Sequence, residues 1–318
     1  MGVSRGASRV LVAIGGNSLV ESAGRTTVED QYRVVAKTCE PLADAIAAGV
    51  ELLIVHGNGP QVGFGLRRSE LARGQVPESP LDSIDADTQG ALGYMIQQAL
   101  GNALRQRGLD DRVAAVVTQV LVDPDDDAFK APAKPIGGYY TEAEARRWIS
   151  ELGWNMVKEG GRGWRRVVPS PRPQRIVESW AMRTLLEAGA VVIGCGGGGV
   201  PVVETEPGLY RGVPGVIDKD RAAALLARDV QVDLLVFSTG VDQLFLDFGT
   251  PDERPLREVR ADEAQRHLDA GQFPAGSMGP KVEACLSFVR AGGHAALITS
   301  PGRLAAALRG EAGSRIVP

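Results

Sequence analysis

Short, largely apolar runs alternate with amphipathic stretches along most of the chain. Arg9 to Ile14 (RVLVAI), Glu51 to His56 (ELLIVH), Val113 to Val122, Ala190 to Gly194, Val232 to Thr239 and His294 to Ser300 have strand length and are rich in β-branched residues. Runs of this kind predict strands buried on both faces, as in a parallel sheet. Helical spacing fills the gaps. Thr27 reads as an N-cap with Asp30 three residues later, and Tyr32, Val35, Cys39, Leu42 and Ile46 then share one face before Gly49. Further helices are expected over Asp87 to Arg107, Glu178 to Glu187, Arg221 to Ala227 and Asp262 to Ala270, and after the turn Ala275 to Lys281. A last one, Arg303 to Leu308, closes the chain. A hairpin is expected through Leu244-Phe245-Leu246 and Asp247-Phe248-Gly249. Strand and helix in alternation argue for an α/β fold with helices on both faces of a mainly parallel sheet.

One segment breaks the alternation. Residues 123 to 172 hold an acidic turn (DPDDD), the stretch Phe129 to Tyr140, a short helix at Glu142 to Glu151 and the basic, proline-rich GWRRVVPSPRP. This predicts an insertion with its own small structure, hinged by prolines and able to cover a site. Gly90, Gly93 and Gly101 weaken the helix over 87 to 107 unless another backbone packs against it, either a dimer partner or the same monomer.

The predicted strands end in glycine. Ile14 runs into Gly15-Gly16-Asn17-Ser18, His56 into Gly57-Asn58-Gly59-Pro60-Gln61, and Gly194 leads to four glycines, Gly196 to Gly199. In an open parallel sheet these ends gather on one edge, where ligands bind. A glycine run there is either a flexible loop or a place where backbone N–H groups approach a bulky anion. Asp218-Lys219-Asp220 opens a helix, and a lysine there opposes the helix dipole. The turn is either a solvated cap or a seat for phosphate, and its placement with the glycine loops points to phosphate. There is no GxxxxGK[ST] and no GxGxxG, so neither a P-loop nor a dinucleotide fingerprint is supported.

At 318 residues and 44% hydrophobic the chain can bury a large core. Its net charge of −4, with basic residues scattered, speaks against a nucleic-acid partner. No apolar stretch reaches membrane-spanning length, and Met1 to Ser8 has no signal-peptide character. Cys39, Cys195 and Cys285 are widely spaced and form neither a disulfide nor a zinc signature, so a reducing cytoplasm is the expected location.

From about residue 9 onward the chain resembles the carbamate kinases, of the amino-acid-kinase fold family. The resemblance rests on VAIGGNSL, VHGNGPQVG, FKAPAKPIG, RRVVPSPRPQRIVE, GGGGVPV, GVIDKDRAA, TGVDQLFLDFG, GSMGPKVEA and ALITSP, in this order. It implies a three-layer αβα sandwich around a mainly parallel sheet, as a single domain over 1–318. Residues 9–215 would form the carbamoyl-substrate lobe, with 123–172 protruding over the site, and 216–318 the nucleotide lobe. It further implies a homodimer and reversible phosphoryl transfer between carbamoyl phosphate with MgADP and carbamate with MgATP, with Mg²⁺ carried mainly by the nucleotide and no metal residue named. Transfer toward ATP would serve arginine, agmatine or allantoin/purine breakdown. Two departures stand out: AKPIGGYY replaces the family's more usual TKPIGPFY, and Gly249-Thr250-Pro251 replaces GKP.

Carbamate is already an anion and needs no general base; the obstacle is the crowding of negative charge in the transfer. Lys219 and Lys281 would neutralise the transferring and leaving oxygens, oriented by Asp218. Gly15, Gly16, Asn17, Gly57, Asn58 and Gly59 would donate N–H groups, and Lys130 and Lys134 would reach down from the insertion. The resemblance puts the nucleotide against Thr239, Gly240, Val241, Asp242, Phe245, Met278 and Gly279. For Asp242 and Phe245 a strand end and a buried hairpin aromatic are equally good readings, and His56 reads as a structural histidine. Two other functions stay open: phosphorylation of an amino-acid carboxylate or nucleoside monophosphate, against which the KPIG and PSPRP segments argue, and a non-catalytic nucleotide-binding regulator, whose mark would be loss of the lysines.

Overall fold

The computed structural model describes residues 8–15, 19, 27–274 and 276–318. Its central sheet has eight strands in the order Glu258–Arg260, Ser314–Val317, Ala295–Thr299, Leu234–Ser238, Arg9–Ile14, Glu51–His56, Val191–Ile193 and Val113–Ala115. Pairing is parallel except between Ala295–Thr299 and Ser314–Val317.

Alternate strand residues face opposite layers. Leu11, Leu53, Val192, Leu235 and Ile298 pack with Met182, Leu226 and Phe288, from the helices Ser179–Glu187, Lys219–Asp229 and Gly279–Arg290. Val10, Val12, Leu52, Ile54 and Val236 pack with Val35, Leu42, Leu92, Ile96 and Leu304, from Val28–Ala47, Leu81–Gln106 and Leu304–Leu308. With both faces covered, the continuous apolar strands have their explanation and the molecule is an αβα sandwich. The first helix starts as its sequence predicts: Thr27 Oγ1 accepts from the Asp30 N–H at 3.1 Å.

The structure corrects several expectations. Residues 57–61 are not a simple loop: Asn58 is the N-cap of a helix, Gly59–Leu71, whose Gly63 and Gly65 weaken its pattern. The next helix begins at Leu81 rather than Asp87, because the polar Asp85 and Thr88 lie on its buried face. Gly93 of that helix packs within the monomer; a Cβ there would stand 2.8 Å from the Ala115 Cβ. The run 113 to 122 is two strands in two sheets. Between them the Gln89 side chain accepts from the Thr118 N–H at 2.8 Å and donates to its carbonyl at 3.2 Å, taking the place of a neighbouring strand. Gln119–Val122 then joins a four-stranded sheet with Pro173–Ile176, Val200–Glu206 and Leu209–Gly212. The hairpin's second strand is Arg254–Leu256, not 247–249. The chain closes on the strand Ser314–Val317 rather than on the helix before it.

The insertion has its own three-stranded sheet, Lys134–Tyr140, Trp164–Val168 and Asn155–Lys158, and a helix Glu142–Leu152 that starts in a capping box between Thr141 and Glu144. It is seated on the body by a small separate core. Ile136 and Val168 pack there with Val62, Leu66, Leu81, Ile84 and Val216. Burying each such side chain contributes about 1.5–3 kcal/mol.

Candidate active site

The parallel register brings five strand ends together: Ile14 lies opposite His56 and Ser238, Ser238 opposite Thr299, and Ile54 opposite Ile193. Two helices, Lys219–Asp229 and Gly279–Arg290, start beside one another at this edge, each with a lysine in its first turn.

The lysines are held by two aspartates with different duties. Asp218 is the N-cap; its Oδ1 accepts from the N–H groups of Asp220 (3.0 Å) and Arg221 (3.3 Å), while Oδ2 accepts from Lys134 Nζ at 2.9 Å. Burial pushes the Asp218 carboxyl up, but the Lys134 ammonium and the two N–H donors outweigh it and hold the group at about 2. Asp220 is buried and bridges the other two lysines. Lys219 Nζ lies 2.5 Å from its Oδ1 and Lys281 Nζ 3.0 Å from its Oδ2. Asp218 therefore orients Lys134 alone, and the carboxylate that orients Lys219 and Lys281 is Asp220, which sequence reasoning did not single out. The helical frame separates the two: the cap residue turns back on its own amides, and the residue two positions on faces the neighbouring helix. Three ammonium groups against two carboxylates leave a positive centre, with Lys219 and Lys281 side chains only 14% and 16% exposed. Such a centre strongly favours an anion.

The glycine run departs from the expected anion cradle. Gly198 and Gly199 give their N–H groups to the carbonyls of Cys195 and Gly196, both at 3.0 Å. The need for glycine is space: a Cβ on Gly196 would stand 2.5 Å from His56 Nε2, and one on Gly198, at φ +103°, 2.6 Å from the Ile217 carbonyl oxygen. Around it lies a buried polar layer that sequence reasoning missed: Asp85, Thr88 and Gln89 from one helix, and Thr118. Asn58 Nδ2 donates to Thr88 Oγ1 at 2.9 Å and reaches Asp85 Oδ1 at 3.5 Å. Burial above all pushes the Asp85 carboxyl well above the usual range; the Asn58 hydrogen bond opposes this and Asp82 adds to it. His56 is pushed down to about 4, chiefly by burial, with Lys219 adding and the Gly57 carbonyl opposing, so the imidazole is neutral at pH 7. Polar residues at helical spacing with Asn58 were the available signal.

Not every predicted donor is open to a ligand. Gly15 and Gly57 give their N–H groups to the carbonyls of Ser238 and Ile14, and Gly279 gives its own to Pro274 at 2.9 Å. Gly16 and Asn17 lie outside the described residues. The N–H groups of Asn58 and Gly59 open a helix and have no partner among the described residues, as first-turn donors do. Lys130 does not reach down: its side chain, 73% exposed, pairs with Asp127 at 3.0 Å within its own short helix. Thr239 pairs with Thr299 through its N–H at 2.8 Å, and Gly240 and Val241 follow it at the edge. Asp242 is exposed, accepting from the Ser300 hydroxyl and lying 3.7 Å from Arg303 Nε. Phe245 is half-buried beside Phe248, and Met278 packs on the core at the start of its helix.

Residues 8–300 match the model of the amino acid kinase family. A carbamate kinase of Pyrococcus horikoshii is 44% identical over 312 residues, covering 98% of this chain and 99% of that one. A carbamate kinase-like protein of Escherichia coli is 45% identical, covering 97% and 98%. Among solved structures, the carbamate kinase from Giardia lamblia bound to AMP-PNP superposes with a TM-score of 0.92 at 39% identity, covering 98% of each chain. With the sandwich fold and the lysine-lined sheet edge, these matches establish that the chain belongs to the amino acid kinase family and, within it, to the carbamate kinases.

Proposed function

We propose that the chain transfers a phosphoryl group reversibly between carbamoyl phosphate with MgADP and carbamate with MgATP, running toward ATP, and that the lysine cluster is its transfer site. The observation that carries this is the convergence of Lys134, Lys219 and Lys281 on the Asp218–Asp220 turn. The three ammonium groups would meet the charge on the transferring and leaving oxygens. The neutral His56 would add none, and the N–H groups of Asn58 and Gly59, which have no partner among the described residues, would face the carbamoyl end. The nucleotide enters as its Mg²⁺ complex, placed against Thr239 to Asp242, Phe245, Met278 and Gly279 in the lobe 216–318, with 9–215 forming the other lobe. Carbamoyl phosphate is a mixed anhydride and a stronger phosphoryl donor than ATP, which sets the direction; its source would be breakdown of arginine, agmatine or allantoin. A cytoplasmic homodimer fits the family resemblance and the reduced cysteines.

A coupled assay for ATP with MgADP and millimolar carbamoyl phosphate should give ATP, and acetyl phosphate should serve far less well. A pocket that reads the carbamoyl NH₂ leaves polar groups unpaired against a methyl. ATP formed only from N-acetylglutamyl or aspartyl phosphate would overturn the reading.

A further inference from the structure

The insertion carries Lys134, so whatever fixes the insertion fixes that ammonium. The strand Lys134–Tyr140 lies along the helix Gly59–Leu71. At mid-strand the two backbones touch: a Cβ on Gly63 would come within 3.2 Å of the Gly137 Cα, and Gly137 itself sits at φ +68°, where a side chain would be strained. At the far end Tyr140 donates its phenol to Glu70 Oε1 at 2.7 Å, and Arg67 donates to Glu70 Oε2 at 3.1 Å. The Glu70 side chain is only 5% exposed. The Arg166 guanidinium sits 4.3 Å above the Trp154 ring, which meets the Tyr140 ring edge-on at 6.1 Å. Arg165 Nε donates to the Gly137 carbonyl at 3.2 Å, closing the strand pair from the other side.

One helix thus opens with the substrate-loop residues Asn58 and Gly59 and, three turns on, grips the strand whose first residue is Lys134. We infer that the Tyr140–Glu70 hydrogen bond, with the Gly63–Gly137 contact, is a latch that holds Lys134 over the transfer site, making Tyr140 and Glu70 positioning residues for the reaction. This rests on the proposed role of Lys134. A charge-assisted bond shielded from water is strong enough to fix one register, and an ångström of displacement at a reacting group costs on the order of a hundredfold in rate.

The test uses the full-length protein and the ATP-forming assay. Tyr140→Phe keeps the ring and removes the hydroxyl. It should lower kcat/KM for carbamoyl phosphate about tenfold and leave MgADP binding unchanged, since the nucleotide side does not touch the latch. Glu70→Gln keeps an acceptor and should retain at least about half of the activity. Added to Lys134→Ala, the Tyr140→Phe change should cost less than about twofold more, because a residue acting through Lys134 has nothing left to position. Gly63→Ala, which displaces the strand without touching the hydrogen bond, should reproduce the Tyr140→Phe loss and serves if that variant folds poorly. Wild-type kinetics for Tyr140→Phe beside an inactive Lys134→Ala overturns the latch and spares the function. An equal penalty with and without Lys134 overturns it as well. Near-normal turnover by Lys134→Ala overturns the assigned role of that lysine, and the latch with it.

Discussion

Asp220→Asn is the most informative single change. The carboxylate is buried, its side chain 6% exposed, with Lys219 Nζ at 2.5 Å and Lys281 Nζ at 3.0 Å on its two oxygens. Asparagine fills the same volume but turns an NH₂ donor toward one ammonium and leaves two buried cations without a counter-charge. Removing one partner of a buried ion pair costs about 3–5 kcal/mol, a large share of the roughly 5–15 kcal/mol that stabilises a typical domain. At about 2–4 °C per kcal/mol the melting temperature should fall by roughly 10 °C. Turnover should fall about a hundredfold, since both ammonium groups lose their orientation. Urea unfolding by circular dichroism at pH 7 measures the first effect and ATP formation the second. Removing the surplus charge with Asp220→Asn/Lys281→Met should recover at least half of the lost stability but none of the turnover. A loss under about 1 kcal/mol in the single variant, or simple addition of losses in the double, would refute the shared-carboxylate account.

Three further outcomes follow from the geometry. Asp218, held at about 2 against an ordinary carboxylate near 4, stabilises the fold fully above pH 4, and this is lost as pH falls through 2. The stability gap between parent and Asp218→Asn should therefore be widest at neutral pH, shrink as pH falls below 4 and vanish only below about pH 2; a gap that instead grew on acidification would contradict it. Gly198→Ala, at φ +103° and against the Ile217 carbonyl, should cost about 3 kcal/mol and slow turnover by moving Asp218, whereas Gly138→Ala, facing open space, should be silent in urea unfolding. Cys39, Cys195 and Cys285 are all buried, with thiols pushed above their usual range chiefly by burial, so a chromogenic disulfide reagent should find no thiol in the native protein and three after denaturation. Rapid native reaction at any one of them would show that its surroundings open.

The sandwich was legible because strands covered on both faces have no polar alternation to confuse them, and RVLVAI and ELLIVH are strands over their full predicted length. Local signals also placed Lys219 and Lys281 at helix-opening turns, while Lys134 was picked out by the resemblance alone and proves to start a strand; the three meet at the Asp218–Asp220 turn. What escaped was decided by tertiary context. Asp220 and Asp218 look alike in a string, and only the neighbouring helix, by bringing Lys281, gives one of them a second lysine. Asp85, Thr88 and Gln89 interrupt an apolar pattern and so hid the first turns of their helix, though their burial is the reason for it. Gly196 to Gly199 advertised a ligand loop, but their own carbonyls and close neighbours account for much of the glycine. Lys130 kept its motif neighbours and turned to Asp127 instead.

The central strand also shapes how the chain comes into being. Arg9–Ile14 takes one neighbour from nearby in sequence, but on its other side the Arg9 N–H meets the Asp233 carboxylate 224 residues downstream, where the partner Leu234–Ser238 begins. During synthesis at roughly 5–20 residues per second, that flank of an apolar strand stays bare for about 10–45 s. An unpaired strand edge is a template for other chains. A frameshift or stop anywhere in this interval therefore yields more than an inactive fragment: it leaves an apolar strand exposed, in a form that neighbouring nascent chains can adopt, and places the burden on chaperones until residue 238 has emerged.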